Sequence, residues 1–332
     1  MNPEELKNHL LPAKNWITTN QKTNGAILWD ESGKWDAWDH SECLIALAIY
    51  EDWEAFELGI EFLIENLSHE SLIKSEFVNG KISQDYYEAH HVAYVFLPLL
   101  QRFFIDKNLP FLQKHRDLIH EIYKSTKTFQ NLDGFYHWAK DKNGFSDNSL
   151  ITSTCSIELS RRAYNQLCEI LGDSEKIDSK PIVTKENLSS EAFNRDGIDR
   201  SRFSMDSYYP MLCNIVSPDA IHKLIENFYV EGLGIKCVKE EPWVTFAETS
   251  ECVMALYKSG EHDKAKEIFK HILKHANHRN FFPTGYQYEL EIYWPEENST
   301  WTNAAIIMAA DCLFDFNKKE NCLLYTSPSP RD

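Results

Sequence analysis

Apolar positions recur at spacings of three and four from one end of the chain to the other, and alternating runs are scarce. That period predicts helices rather than strands. Read with caps and breakers, it places helices near 3–19, 39–50, 53–66, 87–105, 111–127, 150–171, 184–195, 206–215, 217–230, 245–258, 261–275 and 301–316. They alternate in character. The second of each pair is small and apolar almost all round, as in Glu42-Cys-Leu-Ile-Ala-Leu-Ala and Asn303-Ala-Ala-Ile-Ile-Met-Ala-Ala. The first is amphipathic, as in Asp263-Lys-Ala-Lys-Glu-Ile-Phe-Lys-His-Ile-Leu-Lys. A helix apolar on every side is buried, whereas an amphipathic one lies at the surface. Six buried helices inside six amphipathic ones predict an all-α fold, an (α/α)6 toroid or six-hairpin barrel, as a single domain over residues 1–321. An open solenoid would need polar capping faces at both ends. The helix at 301–316 stays apolar all round, which favours a closed ring.

A local pattern returns along the chain with the helices. Gln21-Lys-Thr-Asn-Gly25-Ala-Ile-Leu-Trp29 leads into Trp38-Asp39-His40-Ser41-Glu42, and Gln130-Asn-Leu-Asp-Gly134-Phe-Tyr-His-Trp138 repeats the Gln-x3-Gly-x3-Trp spacing. Tyr86-Tyr87-Glu88 with His90-His91, Met205-Asp206-Ser-Tyr208-Tyr209, Trp243-Val-Thr245 with Glu248, and Thr300-Trp301-Thr302 occupy matching places before later helices. Repeats of this length mark an array of supersecondary units, with their loops gathered at one mouth.

Composition narrows the chemistry. A formal charge of −17 argues against a nucleic-acid partner, which needs Lys and Arg on its phosphates. No stretch is long and apolar enough to span a membrane, and the start, Met1-Asn-Pro-Glu-Glu-Leu-Lys, does not read as a signal peptide. The eight cysteines form no Cys-x-x-Cys, and Cys43, Cys155, Cys252 and Cys312 fall in apolar helical runs, as free buried thiols do. A reducing cytoplasm is the expected home. The tail, Cys322-Leu-Leu-Tyr-Thr-Ser-Pro-Ser-Pro-Arg-Asp332, resembles translated sequencing-library adapter. Residues 322–332 are therefore expected to be an artefact, from a metagenomic assembly, that packs on nothing.

Carboxylates stand beside aromatic residues at the starts of several inner helices. Glycoside hydrolysis needs two such groups, one to protonate the leaving oxygen and one to activate water or attack. In a six-hairpin ring pairs one and four face each other, so Asp39 and Asp206 should look across the cavity, with Glu248 next to Asp206. A helix N-terminus favours the ionised form, which suits Asp39 and Asp206 to the base role. Glu248 lies inside its helix among aromatics that would raise its pKa, which suits it to the acid role. Trp29, Trp38, Tyr208, Tyr209, Trp243 and Trp301, with His40, Glu42 and Thr245, are the expected sugar contacts, since aromatic faces suit sugar C–H faces. The alternative for Asp39-His-Ser-Glu42 and Thr245-Phe-Ala-Glu248 is that each is a capping box. Glu251 reads as a buried partner, and His40, His90 and His91 as core or solvated histidines or, in an epimerase, as acid and base. No metal and no other cofactor is expected, because Glu88-x-His-His has no complementary ligand set elsewhere. Asp141-Lys-Asn-Gly-Phe-Ser-Asp147 reads as a surface turn.

Gly25-Ala-Ile-Leu-Trp29 with Asp36-Ala-Trp-Asp39-His-Ser-Glu42, Met205-Asp-Ser-Tyr-Tyr-Pro210, Gly232-Leu-Gly-Ile-Lys-Cys237, Pro242-Trp-Val-Thr245 with Glu248, and Thr300-Trp-Thr302 resemble an uncharacterised bacterial family. That family is often labelled prenyltransferase-like and is similar to six-hairpin glycosidases in plan. The resemblance runs from about Trp16 to Phe316 and implies the toroid with a cleft at its loop end. It leaves three functions open: a carbohydrate-active enzyme (hydrolase first, epimerase or lyase second), a prenyltransferase or terpenoid cyclase, and a non-catalytic glycan-binding toroid. No Asp-Asp dipeptide occurs to hold a diphosphate-bound magnesium, which weighs against the second. The partner expected is a carbohydrate or glycoconjugate.

Overall fold

The computed structural model describes residues 2–188, 190–193, 197–215 and 218–317, so the tail at 322–332 lies outside the described residues. Among the described residues, thirteen α-helices run in chain order. They are α1 Pro3–His9, α2 Leu11–Thr19, α3 Ala37–Ile49, α4 Trp53–Glu65, α5 Phe96–Asp106, α6 Leu109–Lys114 and α7 Arg116–Lys127. After these come α8 Ile151–Leu171, α9 Ser204–Leu212, α10 Pro218–Phe228, α11 Phe246–Lys258, α12 His262–Ile272 and α13 Thr300–Phe314.

The order of packing follows the predicted alternation. The inner helix α3 packs on α5, α5 on α8, α8 on α9, α9 on α11, α11 on α13, and α13 returns to α3. Outside this cycle α4 lies on α3, α7 on α8, α10 on α9, α12 on α11 and α2 on α13. Burial tracks the sequence. Residues 302–310 of α13 are all 0% exposed, whereas α12 buries only Ala265, Ile268, Phe269 and Ile272, one stripe of an amphipathic helix. One continuous apolar core joins the inner helices to these stripes.

Four helix expectations need correction. The helix expected at 3–19 breaks at Leu10, where Pro12 enters the first turn of α2, and that at 111–127 breaks at His115. The helix expected at 87–105 does not start until Phe96, because Tyr87 and Glu88 end a strand, residues 89–92 turn, and Ala93–Val95 form a 3-10 helix. For 184–195, the described residues make turns and a single 3-10 turn at Glu191–Phe193.

Short strands occupy the connections that lead into the inner helices. β1 Lys34–Trp35, β2 Lys74–Val78, β3 Lys81–Glu88, β4 Ala139–Asp141 and β5 Gly144–Phe145 form one antiparallel sheet in that order. β6 Tyr229–Val230 pairs with β7 Gly234–Ile235, and β8 Trp243–Thr245 with β9 Gly285–Gln287 and β10 Ile292–Tyr293 makes a second aromatic-rich sheet. β1 ends two residues before α3 begins, and β8 runs directly into α11. The strands therefore collect where the inner helices start.

The Gln-x3-Gly-x3-Trp repeat is one turn made twice. Gln21 bridges Ile27, and Gln130 bridges Tyr136. In each, the Gln amide donates to the Gly carbonyl, at 3.3 Å from Gln21 to Gly25 and 3.0 Å from Gln130 to Gly134. Gly25 and Gly134 have φ of 96° and 91°, which side chains resist. At Gly25 a Cβ would also stand 2.1 Å from the Leu58 carbonyl oxygen, so the turn is pressed onto α4.

Candidate active site

Asp36, rather than Asp39, caps α3. Its carboxylate accepts from the Asp39 backbone N–H at 2.9 Å, and Asp39 sits in the first turn with its own side chain free of that duty. The capping reading of Asp39 therefore fails. The Asp39 carboxyl is lifted well above the usual carboxylate range, by burial first, then by the charge of Asp36 and a hydrogen bond to it, against the pull of Lys34. Asp36 was not singled out as a site residue, although two aspartates three apart before an apolar run were its visible signal.

Glu248 occupies the first turn of α11 and is 5% exposed. It is not half of a capping box. The Thr245 hydroxyl is buried and finds no partner among the described residues, and the Thr245 backbone lies in β8 opposite Gly285. Burial raises the Glu248 pKa to about 7, with a hydrogen bond from Cys237 opposing it. In the cycle of inner helices α13 alone stands between α3 and α11.

Asp206 lies, as expected, in the first turn of the fourth inner helix, α9, but its carboxylate is engaged. One carboxylate oxygen accepts from Thr152 twice, from its N–H at 3.1 Å and its hydroxyl at 2.5 Å, and the other accepts from Arg200 at 3.0 Å. Leu150, the residue before α8, has no capping side chain, so Asp206 caps α8 from the neighbouring helix.

Glu42 is the hub of a buried polar cluster. Trp38 and Tyr94 donate to one oxygen at 3.0 Å each, and Trp301 donates to the other at 2.8 Å. Burial raises its pKa, and these donors hold the rise back. Glu251, at 1% exposure, is the buried partner expected: it accepts from the hydroxyls of Tyr208 and Tyr209. Its pKa is pushed well up, by burial and then by the charge of Glu42. The cluster thus draws on α3, α9, α11, α13 and the turn leading into α5. Tyr208 and Tyr209 are 0% exposed, with their hydroxyls turned to Glu251.

Trp29 packs beside Trp301 with ring centroids 5.7 Å apart, and Lys34 lies over its ring at 4.4 Å. Trp38 meets the edge of His90 at 4.5 Å and of Tyr209 at 5.7 Å. Trp243 stands on the second sheet, edge to face with Trp294 at 4.8 Å and donating to the Trp294 carbonyl. All four indoles are partly exposed, as sugar contacts require. His40 is a core residue: Nδ1 accepts from the Ile27 N–H at 3.2 Å and Nε2 donates to the Gly59 carbonyl at 3.0 Å. Burial lowers its pKa to about 4, so it stays neutral.

Glu88, His90 and His91 bring one ligand atom each to within 4.8 Å of one another, a gathering the linear spacing did not disclose. Nδ1 of both histidines lacks an acceptor among the described residues, and an acceptor there ordinarily orients a ligating histidine. Glu88 is instead engaged by the Ser75 hydroxyl at 2.6 Å.

A mannosidase relative, together with glycosidase structures of the same fold, supports a glycoside hydrolase-like enzyme. No protein-family model matches the chain. It is 28% identical over 301 residues, 90% of this chain and 84% of that one, to the MMP endo-(1,4)-3-O-methyl-alpha-D-mannosidase of Mycolicibacterium hassiacum. A wild-type glycosidase structure superposes at a TM-score of 0.66 with 11% identity, covering 95% of this chain and 98% of that one. A D-mannose isomerase gives 0.63 and 12%, covering 92% and 96%, and a sugar epimerase from a ruminal bacterium gives 0.65 and 12%, covering 93% and 98%. These likenesses to solved structures speak for the fold. No finding supports the prenyltransferase label.

Proposed function

We propose that the chain is an (α/α)6 toroid that hydrolyses α-(1,4)-linked mannose-type glycans within the chain, at a cleft bounded by the first turns of α3, α13 and α11. The observation that carries this is the placement of Asp39 in the first turn of α3 and of Glu248 in the first turn of α11, two inner helices that both pack on α13. The substrate class is taken from the mannosidase relative.

Glu248, with a pKa of about 7, is protonated in a useful fraction at neutral pH and acts as general acid on the leaving oxygen. Asp39, hydrogen-bonded to Asp36, takes the proton of the attacking water. Asp39 thus keeps the base role as half of a pair. Asp206, saturated by Thr152 and Arg200, serves as a clamp. Trp29, Trp38, Trp243 and Trp301 offer faces to sugar rings, and the Glu42–Glu251 cluster fixes two of those indoles. Seven free cysteines among the described residues fit a reducing cytoplasm, and no described helix is long and apolar enough to cross a membrane.

The test is incubation with α-(1,4)-linked oligosaccharides of 3-O-methylmannose and of mannose, with products resolved by chromatography. Internal cleavage that is lost in both Asp39→Asn and Glu248→Gln is the expected result. Sugar epimerisation without hydrolysis, or cleavage that survives both substitutions, overturns the reading.

A further inference from the structure

On the large sheet, β3, β4 and β5 frame an open cavity of about 460 Å³ at the surface. That volume falls within the range of small-molecule sites. Tyr86 and Trp138 form one wall, ring centroids 5.6 Å apart and edge to face, and Phe145 at 40% exposure forms another. Asp85, Asp141 and Asn143 bring carboxylate and amide groups to the rim.

Apolar faces with hydroxyl acceptors around them match a sugar better than a planar or charged ligand. None of the residues lining the cavity is basic. The nearby Lys140 ammonium is held by both oxygens of Glu70 at 3.0 Å. Lys74 beside the rim is likewise paired, to Asp85 at 2.7 Å, so the lining itself offers carboxylate and amide groups and its chemistry favours a neutral glycan over a phosphorylated or acidic ligand.

The cavity is joined to the candidate active site. Glu88 of β3 pairs with Ala139 of β4, and the next residue, Ala89, donates to the Trp138 carbonyl at 3.0 Å. His90 follows and sets its ring against Trp38, the neighbour of Asp39. From this continuity we infer that the Tyr86–Trp138–Phe145 cavity is a distal subsite, binding the outer units of a neutral oligosaccharide whose scissile bond lies at Asp39 and Glu248. The inference rests on the proposed hydrolase reading for its placement but makes a separate demand, that chain length matters.

The experiment compares Trp138→Ala and Tyr86→Ala with the unsubstituted protein on two probes, a long α-(1,4)-linked 3-O-methylmannose oligosaccharide and a short aryl α-mannoside. The ratio of kcat/KM for long over short should fall by about tenfold in each variant, the scale of a lost aromatic anchor. A misfolded fraction lowers both substrates alike and leaves that ratio intact. An unchanged ratio overturns the subsite while hydrolysis stands. If the unsubstituted protein cleaves neither probe, the hydrolase reading fails, and the cavity is judged by tryptophan-fluorescence titration with the long oligosaccharide. Quenching that disappears in Trp138→Ala and weakens in Tyr86→Ala then supports a glycan site, and no saturable quenching in the unsubstituted protein overturns it.

Discussion

Trp301 donates its indole N–H to Glu42 across 259 positions of sequence. This bond ties α13 to α3, and it places a residue expected to touch sugar in the grip of a carboxylate beneath it. Tyr94 and Trp38 donate to the same glutamate from other sides. An aromatic floor held this way presents fixed ring faces, so little side-chain freedom remains to be lost when a ligand arrives.

Trp301→Phe keeps an aromatic ring and removes the donor. A buried carboxylate left one hydrogen bond short costs about 1–3 kcal/mol. The melting temperature should fall by a few degrees, as read by circular dichroism. No change would mean that the bond adds nothing net to stability.

Glu248 must be protonated to act as an acid. Activity should hold below pH 7 and decline as pH rises through about 7. Glu248→Gln should lower kcat by about two to four orders of magnitude and abolish that alkaline limb. A limb that persists at the same pH in the variant assigns it to another group.

Asp39→Asn leaves the α3 cap in place, because Asp36 makes it. Turnover should fall by about two orders of magnitude or more with an unchanged melting temperature. Asp206→Asn should do the reverse. It weakens a charge-assisted bond to Arg200, worth ~1.5–3 kcal/mol, and should lower the melting temperature while sparing most turnover. Melting curves and initial rates on the two variants decide it, and a silent Asp39→Asn would return Asp39 to a structural role.

Two buried groups give opposite slopes of stability with pH. The Glu248 pKa is raised from 4.5 to about 7, so its contribution is full below 4.5 and is lost as pH rises through 7. The His40 pKa is lowered from 6.5 to about 4, so its contribution is full above 6.5 and is lost as pH falls through 4. Denaturant melts across this range should show Glu248→Gln flattening the alkaline side and His40→Gln the acid side. Parallel curves for the variants and the parent would refute both assignments.

The inner helices were legible because burial on every side leaves an unmistakable composition, as in residues 302–310 of α13. The start of α3 was less so. Asp36 and Asp39 both precede the apolar run at cap-like spacing, and only the folded backbone decides which of them bonds the other's N–H. The β2–β3 hairpin was missed although Asn79-Gly80 announces it: both residues take positive φ, 49° and 74°, as a two-residue hairpin turn asks. Tyr208 and Tyr209 were read as sugar contacts because aromatic residues beside carboxylates have that use. Their hydroxyls turn inward to Glu251, a partner 43 and 42 residues away that no local pattern could reveal.

The contact between α3 and α13 also sets an order of events during synthesis. α3 leaves the ribosome early, and its partner is the last helix described. Until α13 emerges, one flank of α3 has nothing to meet, and Glu42 lacks one of its three donors, Trp301. Thr300 then locks the join, its N–H to the Trp29 carbonyl at 2.7 Å and its hydroxyl to the Leu28 carbonyl at 2.8 Å. A chain stalled before residue 300 exposes an apolar seam, a surface that chaperones hold and proteases find.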